Sequence, residues 1–161
     1  MSQRRVALVT GGSRGLGRAF CEVFAREGAN VAFSYARSDD DALATCAAIE
    51  QHGVRAWRFK GSVTDKAAVR EMVTTLEREA PIDVLVNNAG VVMRGSHAFD
   101  EIPLDDWQRV FSINVDGAFL GLQAAIRVMK TQAAGGNIVN LGSVASQVGS
   151  KDAGAYGASK A

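Results

Sequence analysis

The sequence predicts an α/β domain built on a doubly wound parallel sheet. Short runs rich in β-branched residues alternate along the chain with longer segments whose apolar residues recur at helical spacing. Each short run is almost continuously apolar, as strands covered on both faces are. Parallel neighbours need a helix-length crossover, which is right-handed, so the repeated βαβ alternation predicts a parallel sheet with helices packed on it.

Five strands and four helices account for this alternation. The strands are predicted over residues 6–10, 31–35, 55–59, 84–87 and 137–141, and the helices over residues 17–27, 39–51, 66–79 and 104–130. Gly28, Gly53 and Pro81 mark helix ends, and Ser38 with Asp41 fits a capping box at the start of the second helix. Ligands of such sheets bind beyond the carboxyl ends of the strands, where the strand order reverses.

Length and composition limit the class of protein. With 161 residues, 47% of them apolar and only two prolines, the chain is predicted to fold as one domain over residues 1–161 around one core. Eighteen basic and seventeen acidic residues leave a net charge of +1, so neither nucleic acid nor an anionic membrane is expected as a partner. No apolar run has the length of a secretory signal or a membrane span, so a cytoplasmic location is expected.

The two cysteines carry no pattern typical of a metal or redox site. Cys21 and Cys46 are far apart, lie in predicted helices and belong to no CxxC or Cys/His cluster. They are therefore predicted to be buried free thiols, and no metal site is expected.

A glycine-rich turn joins the first strand to the first helix. Residues 10–17 read TGGSRGLG, which spaces the three glycines 11, 15 and 17 as G-x3-G-x-G. The first is predicted to permit the tight turn, the second to let the backbone approach a pyrophosphate, and the third to allow close helix packing, while the helix N-terminus offers unpaired N–H groups to the anion. Alone, such a turn is a weak signal, and its place between strand and helix is what favours nucleotide binding. The predicted cofactor-binding residues of this turn are Gly11, Ser13, Arg14, Gly15, Leu16 and Gly17.

The end of the second strand usually decides between NAD and NADP, because NAD enzymes place a carboxylate there against the ribose 2′-hydroxyl. Tyr35 stands at that place, followed by Ala36 and Arg37. The missing carboxylate, with Arg37 and Arg14 available for bidentate pairing, favours a 2′-phosphate and hence NADP(H), with NAD(H) as the alternative. The acidic run 39–41 argues the other way, since it could repel a phosphate or reach the ribose, although a helix N-terminus also favours acidic residues.

Ser143, Tyr156 and Lys160 form the pattern of a carbonyl reductase near the end of the chain. Ser143 follows the fifth strand, and Tyr156 and Lys160 are one helical turn apart. Tyr156 would donate a proton to a carbonyl oxygen, and an ammonium about 5 Å away would stabilise the resulting anion by about 3 kcal/mol at an effective dielectric of about 20. Lys160 would also hold the nicotinamide ribose, and Ser143 would donate a hydrogen bond to the carbonyl oxygen as charge develops.

Other polar and aromatic residues near this pattern have a simpler interpretation. Arg94 and His97 follow the fourth strand and are predicted to be solvated loop residues rather than substrate contacts. Trp107 and Phe111, four apart on a predicted helix, are predicted to pack in the core rather than to form a substrate platform.

Taken together, these motifs resemble the short-chain dehydrogenase/reductase family. TGGSRGLG at 10–17, NNAG at 87–90, Asn114 within a helix, Ser143 and YGASK at 156–160 stand in the order and spacing of that family and span almost the whole chain. The pattern is most similar to 3-oxoacyl-carrier-protein reductases and their relatives, including acetoacetyl-CoA reductases and sugar or hydroxysteroid dehydrogenases. The resemblance implies a Rossmann fold and an NADP-dependent oxidoreductase that transfers hydride between a nicotinamide and a small-molecule ketone or secondary alcohol.

The resemblance also implies roles for residues outside the glycine turn. Asn88, Ala89 and Gly90 would border the adenosine ribose and stabilise the central strand. Asn114 would join the catalytic set by holding a helix distortion and a water that serves the lysine. Where the family usually has an aspartate before a valine to receive the adenine amino group, this sequence has Ser62-Val63. The serine can accept the same hydrogen bond as a neutral group, so slightly weaker adenine recognition is expected.

Members of the family run to roughly 250 residues, a length common for one α/β domain, whereas this sequence ends one residue after Lys160. The resemblance therefore implies that five of seven strands are present and that a C-terminal part is missing, including the segment that covers the substrate. The fifth strand would then be an open apolar edge. Relatives are usually dimers or tetramers, so a homo-oligomer is implied. The alternative function is a truncated module that binds nucleotide or another chain without catalysis.

Overall fold

A parallel five-stranded sheet forms the centre of the computed structural model, which describes residues 4–93, 98–148 and 154–161. The strand order is β3-β2-β1-β4-β5, and every neighbouring pair is parallel. This confirms the predicted doubly wound α/β fold, with strand ends within one residue of the predicted ones. The strands are β1 (Val6–Val9), β2 (Asn30–Tyr35), β3 (Ala56–Lys60), β4 (Val84–Asn87) and β5 (Asn137–Asn140).

The helices connect these strands and cover both faces of the sheet. The first three are close to their predicted extents, and Ser38 and Asp65 cap two of them by accepting hydrogen bonds from first-turn N–H groups. Arg94 and His97, for which a loop was predicted, lie outside the described residues. The α-helices are α1 (Gly15–Arg26), α2 (Asp39–Glu50), α3 (Lys66–Glu79), α4 (Leu104–Phe111), α5 (Gly117–Met129) and α6 (Gly154–Lys160).

The segment predicted as one helix over residues 104–130 is not one regular helix. A π segment, Ser112–Asp116, separates α4 from α5. A π turn accommodates one extra residue and is frequent at functional sites. At this turn Asn114 is buried, and its amide bonds both the N–H and the carbonyl of Val91, in the loop after β4. These two bonds hold the turn against the loop, which is the physical reason that the predicted regular helix is interrupted here.

Side chains that alternate along β1 divide the core into two layers. Val6 and Leu8 pack with residues of α3 and α5, and Val9 packs with residues of α1 and α2. Leu76 of α3 is fully buried in the first layer, where a leucine side chain contributes roughly 1.5–3 kcal/mol by leaving water. The two layers hold the sheet between the helix pairs, and because β1 and β4 are parallel neighbours, their carboxyl ends meet at one edge.

A third, smaller cluster holds α4 and α6 together at that edge. Met93, Val110 and Ala155 are buried in it, and Trp107 packs against them. Trp107 also stacks on Phe111, with ring centroids 4.7 Å apart. Neither aromatic residue is among those lining the cleft described below, so the predicted packing role is confirmed for Trp107.

The two thiols are free in the structure. Cys21 is fully buried in the layer under α1 and α2, and burial raises its pKa to about 12, while Cys46 is half-buried. At this pKa the Cys21 thiol stays protonated at neutral pH, so it behaves as a small apolar side chain.

Within the described residues, β3 and β5 form the two edges of the sheet. Val139 of β5 is 46% exposed, in keeping with the predicted apolar edge. Among the described residues, no helix combines the length and the apolar character that a membrane crossing needs.

Candidate functional site

A cleft of about 900 Å³ runs across the carboxyl edge of the sheet. It begins at the turn between β1 and α1 and ends at α6. Two of the predicted catalytic residues, Asn114 and Ser143, are not among the residues that line it. Every residue predicted to bind the cofactor does line it, namely Gly11, Ser13, Arg14, Gly15, Leu16, Gly17, Tyr35, Arg37, Ser62, Val63, Asn88, Ala89, Gly90, Tyr156 and Lys160.

Glycine geometry explains how the first turn can lie so close to the sheet. Gly11 and Gly15 have φ angles of +68° and +55°, which side chains rarely permit. A Cβ at Gly17 would lie 2.1 Å from the carbonyl oxygen of Gly11 and 2.6 Å from Nδ2 of Asn88. A Cβ at Gly15 would meet no atom within 4 Å. The turn is therefore packed tightly on its inner side, while the backbone at Gly15 is open to the cleft that it lines.

The N-terminus of α1 differs from those of α2 and α3. Its N-cap, Arg14, makes no side-chain cap, and the first turn holds no acidic residue. The first N–H groups of a helix have no partner within the helix and carry a partial positive charge. Because Gly15, Leu16 and Gly17 line the cleft, this uncapped terminus fits a phosphate group bound there.

Thr10, which the sequence-based prediction did not include, joins the glycine turn to the loop after β4. Its Oγ1 accepts hydrogen bonds from the N–H groups of Asn88 and Ala89, at 3.1 and 3.0 Å. In return, Nδ2 of Asn88 donates to the carbonyl oxygens of Thr10 and Gly11. These four bonds hold the glycine turn against the loop after β4 at the carboxyl edge of the sheet. A hydroxyl directly before the first glycine was the available signal.

Basic side chains line the cleft near the glycine turn and the end of β2, and no acidic residue that the structure describes does so. Arg14 and Arg37 are exposed and line the cleft. The aspartates of the run 39–41 do not line it, and Asp39 instead pairs with Lys60, whose Nζ lies 2.6 Å from Oδ2. That hydrogen bond is the main cause of the lowered pKa of Asp39 and of the raised pKa of Lys60.

Tyr35 lies at the centre of the same group. Its hydroxyl donates to Asp39 Oδ1 at 2.8 Å and accepts from Arg58 Nη1 at 2.9 Å. Burial, followed by the hydrogen bond to Asp39, raises the pKa of Tyr35. The tyrosine is therefore a neutral hydrogen-bond donor at neutral pH, and it orients the carboxylate of Asp39.

Ser62 is exposed and lines the cleft beside Val63. Its hydroxyl accepts from the N–H of Thr64 at 3.2 Å and shares a 2.7 Å hydrogen bond with the Thr64 hydroxyl. Thr64 therefore fixes the position of Ser62 Oγ. The adenine contact expected of Ser62 stays a prediction.

Asn114 supports α6 rather than lining the cleft. Its Nδ2 donates to Oγ of Ser159 at 2.9 Å, and that hydroxyl donates to the carbonyl oxygen of Tyr156 at 2.8 Å. A chain of hydrogen bonds thus runs from the π segment to the residue predicted as the proton donor. Ser159 was missed by the sequence-based prediction, although its position three residues after Tyr156 on one helix was the available signal.

Lys160 is held at the other end of the cleft. Its Nζ donates to the carbonyl oxygen of Leu141, just after β5, at 2.9 Å. A Cβ at Gly90 would lie 3.4 Å from Oδ1 of Asn114 and 3.6 Å from this Nζ. The amide and the ammonium therefore flank the same exposed glycine, and a methyl group there would be in van der Waals contact with both.

Ser143 follows β5 and begins a short 3-10 turn, Val144–Ser146. Its Oγ accepts a hydrogen bond from the N–H of Ala145 at 3.2 Å. In the described part of the chain the hydroxyl hydrogen has no acceptor, so it can be donated to a bound group. Gly142, the residue before it, and Tyr156 line the cleft, but Ser143 does not. Its predicted bond to a substrate oxygen stays a prediction.

Arg109 of α4 is a further cleft residue that the sequence-based prediction did not include. Its Nη2 donates to the carbonyl oxygen of Val92 at 2.8 Å, and its Nε pairs with Asp106. Arg109 thereby anchors the loop after β4. The charged residues that line the cleft are Arg14, Arg37, Arg109 and Lys160, and none of the described residues lining it is acidic.

Comparison with known proteins places this chain in a family. The model of the short-chain dehydrogenase family matches residues 5–161. The chain therefore belongs to the short-chain dehydrogenase/reductase family, which confirms the resemblance drawn from its motifs.

Two curated relatives and one solved structure illustrate the breadth of the match. The chain is 40% identical over 146 residues to an L-rhamnose 1-dehydrogenase (NAD(P)(+)) of Sphingomonas sp., covering 90% of this chain and 57% of the relative. It is 38% identical over 158 residues to a 3-oxoacyl-[acyl-carrier-protein] reductase of Synechocystis sp., covering 98% and 63%. A crystal structure of NAD+-bound xylitol dehydrogenase superimposes with a TM-score of 0.91 at 36% identity, covering 97% of this chain and 59% of that one. The chain thus spans about three-fifths of the length of these relatives.

Proposed function

We propose that this protein is an NADP-dependent oxidoreductase that transfers hydride between a nicotinamide cofactor and a ketone or secondary alcohol. The observation that carries the proposal is one cleft with an uncapped, glycine-lined helix N-terminus at one end and Tyr156 with Lys160 at the other. The first end suits a phosphate, and the second suits proton transfer to an oxygen. When bound, the reduced cofactor supplies the hydride.

In this proposal the chain itself supplies a proton and fixed charges. Tyr156 donates its hydroxyl proton to the carbonyl oxygen as the oxygen gains negative charge, and the Lys160 ammonium stabilises the phenolate that remains. Ser143 donates a hydrogen bond to the same oxygen through the hydroxyl hydrogen that the 3-10 turn does not use. Asn114 acts indirectly, because it positions α6 through its hydrogen bond to Ser159. Stabilising charge as it develops lowers the barrier without stabilising the ground state equally.

The choice of NADP rests on charge. Arg14, in the first turn, and Arg37, just after β2, both line the cleft, and the position just after β2 is where an acidic side chain would select the ribose hydroxyl. Two guanidinium groups can pair with a 2′-phosphate through several N–H donors. The relatives carry both kinds of name: one is called NAD(P)(+)-dependent and one solved structure holds NAD+. The proposal of NADP therefore rests on the charge of this chain's own cleft.

The substrate class is a small carbonyl compound or its alcohol. The two curated relatives named above act, by their names, on L-rhamnose and on a 3-oxoacyl-[acyl-carrier-protein], so we take a 3-oxoacyl thioester as one candidate substrate and a sugar as another. We also propose that the whole protein assembles as a dimer or tetramer. Val115, Phe119 and Ile126 are exposed on the π segment and α5, and a second copy would cover them.

The test of the proposed function is oxidation of NADPH, followed by its absorbance, in the presence of acetoacetyl-CoA and a panel of ketoses. The protein used is the whole polypeptide that carries this sequence. Turnover with any of these carbonyl compounds supports an oxidoreductase. Tight NADPH binding without turnover across the panel would favour the alternative, a nucleotide-binding module without catalysis.

Arg37→Ala tests the preference for NADP. The dissociation constant for NADPH is expected to rise about tenfold while that for NADH changes less than twofold, because a charge-assisted hydrogen bond to phosphate is worth about 1.5–3 kcal/mol when formed. Fluorescence titration of both reduced cofactors measures the two constants. Arg127→Ala, which removes an exposed arginine in the last turn of α5, is the matched control and should change neither constant. An unchanged ratio in Arg37→Ala would remove the phosphate argument.

A further inference from the structure

We propose that Lys60 and Tyr35 help set the cofactor preference by holding the carboxylate of Asp39 away from the nucleotide cleft. The inference rests on the proposed function, because it concerns how the same cleft distinguishes a 2′-phosphate from a 2′-hydroxyl. Asp39 begins α2 and stands two residues after Arg37. A carboxylate near the end of β2 would favour NAD, so the direction in which this side chain points matters.

Both oxygens of the Asp39 carboxylate are occupied. Lys60 Nζ donates to Oδ2 at 2.6 Å, and the Tyr35 hydroxyl donates to Oδ1 at 2.8 Å. The Tyr35 hydroxyl has one hydrogen, and since Arg58 donates to its oxygen, that hydrogen is directed at Asp39. The group formed by Tyr35, Asp39, Arg58 and Lys60, here called the Asp39 clamp, thus orients the carboxylate from two sides.

The sheet itself builds the Asp39 clamp. Tyr35 pairs with Lys60 in the register of β2 and β3, and Phe33 pairs with Arg58. Residues two apart on a strand share a face, so Arg58 and Lys60 lie on the same side of β3 as the Tyr35 side chain. Strand register, rather than loop conformation, therefore fixes the two cations beside Asp39.

The Asp39 clamp has a consequence for charge in the cleft. Tyr35 and Arg37 line the cleft at this end, while Asp39 and Lys60 do not. With Lys60 present the carboxylate is paired, so it opposes a nearby phosphate only weakly. Without Lys60 the carboxylate loses its counter-charge and one of its two anchors, and its repulsion of a 2′-phosphate is no longer offset. Asp39 and Lys60 are more than half exposed, so solvent screens the effect to a modest size.

Lys60→Met in the whole protein tests the inference, with dissociation constants for NADPH and NADH measured by fluorescence titration. The ratio of NADPH affinity to NADH affinity is expected to fall about fivefold, the size that one unit charge about 8 Å from a doubly charged phosphate gives in water. The double variant Lys60→Met with Asp39→Asn removes the unpaired carboxylate and should return the ratio to within twofold of the wild type. Lys130→Met, which removes an exposed lysine just after α5, is the charge-matched control.

Each outcome separates this inference from the proposed function. A ratio unchanged by Lys60→Met overturns the inference, and so does a ratio that stays low in the double variant, since Lys60 would then act on the phosphate directly. A wild type that prefers NADH overturns the proposed cofactor, but Lys60→Met must still lower the ratio if the inference holds. A wild type that binds neither dinucleotide overturns both.

A second readout needs no cofactor. The hydrogen bond from Lys60, followed by that from Tyr35, lowers the pKa of Asp39. Carboxyl NMR titration should therefore show the pKa of Asp39 rising in Lys60→Met and staying at the wild-type position in Lys130→Met. An Asp39 titration that Lys60→Met does not move would show that the contact is not formed in solution and would overturn the inference.

Discussion

Replacing Tyr156 by phenylalanine is expected to lower kcat about 1,000-fold, within the range of roughly 10²–10⁴ that a positioned general acid contributes. The hydroxyl of Tyr156 forms no hydrogen bond within the described part of the chain, so its removal should leave α6 in place. The supports of α6 do not involve the hydroxyl: Ala155 is buried, and Ser159 bonds the carbonyl oxygen of Tyr156. NADPH oxidation with the best carbonyl substrate of the panel measures the loss.

The same variant must keep its cofactor for the result to be interpreted. The dissociation constant for NADPH is expected to stay within about threefold of the wild type, and the melting temperature within a few degrees, since a phenol and a phenyl ring have nearly the same volume. Turnover above one-tenth of the wild-type value would exclude Tyr156 as the acid. A loss of NADPH binding equal to the loss of turnover would point instead to a role in holding the cofactor.

Gly17→Ala is expected to destabilise the protein by about 3 kcal/mol or more. The added Cβ would lie 2.1 Å from the Gly11 carbonyl oxygen and 2.6 Å from Nδ2 of Asn88. The first of these atoms is backbone, and the second is tied by two hydrogen bonds, so neither can move without cost. Overpacking of this kind typically costs roughly 1–3 kcal/mol even where flexible side chains can yield. Urea denaturation monitored by circular dichroism measures the change in the free energy of unfolding.

Gly142→Ala is the matched control for this prediction. Gly142 is exposed and has an ordinary φ, and a Cβ built on it meets no atom within 4 Å. Its free energy of unfolding should therefore lie within about 0.5 kcal/mol of the wild type. If Gly17→Ala were no more destabilising than Gly142→Ala, the close packing of α1 on the first turn would be wrong.

The fold was predictable because its signals are local and repeated. Strands such as β1, with the sequence VALV, are apolar throughout, and helices of ordinary length separate them. The π segment was not predictable from periodicity. Val110, Asn114, Gly117 and Gly121 recur every three or four residues, as in a regular helix. Their spacing therefore gives no sign of the one additional residue in the turn. Only the family resemblance implied a distortion at Asn114.

The site residues were easier to find than their partners. Glycines, Tyr156 and Lys160 stand in recognisable spacing, and all lie along one cleft. The pairing of Asp39 with Lys60 depends on the register between β2 and β3, which no local pattern encodes. The sequence therefore identified the acidic run 39–41 as an argument against NADP but could not show that Asp39 is already paired. The bonds of Thr10 to the loop after β4 likewise join residues almost eighty positions apart.

The π segment makes the spacing between α4 and α5 difficult to change. The π turn already accommodates one extra residue, and each residue turns an α-helix by about 100°, so inserting a second residue within 112–116 would rotate α4 and α5 relative to each other by about that angle. Gly121, whose missing side chain admits the amide of Asn87, could then keep its place only if Val110 left the small cluster with Met93 and Ala155. Insertions are therefore a harsher kind of mutation in this stretch than side-chain exchanges, and added sequence length there is under stronger constraint than sequence identity.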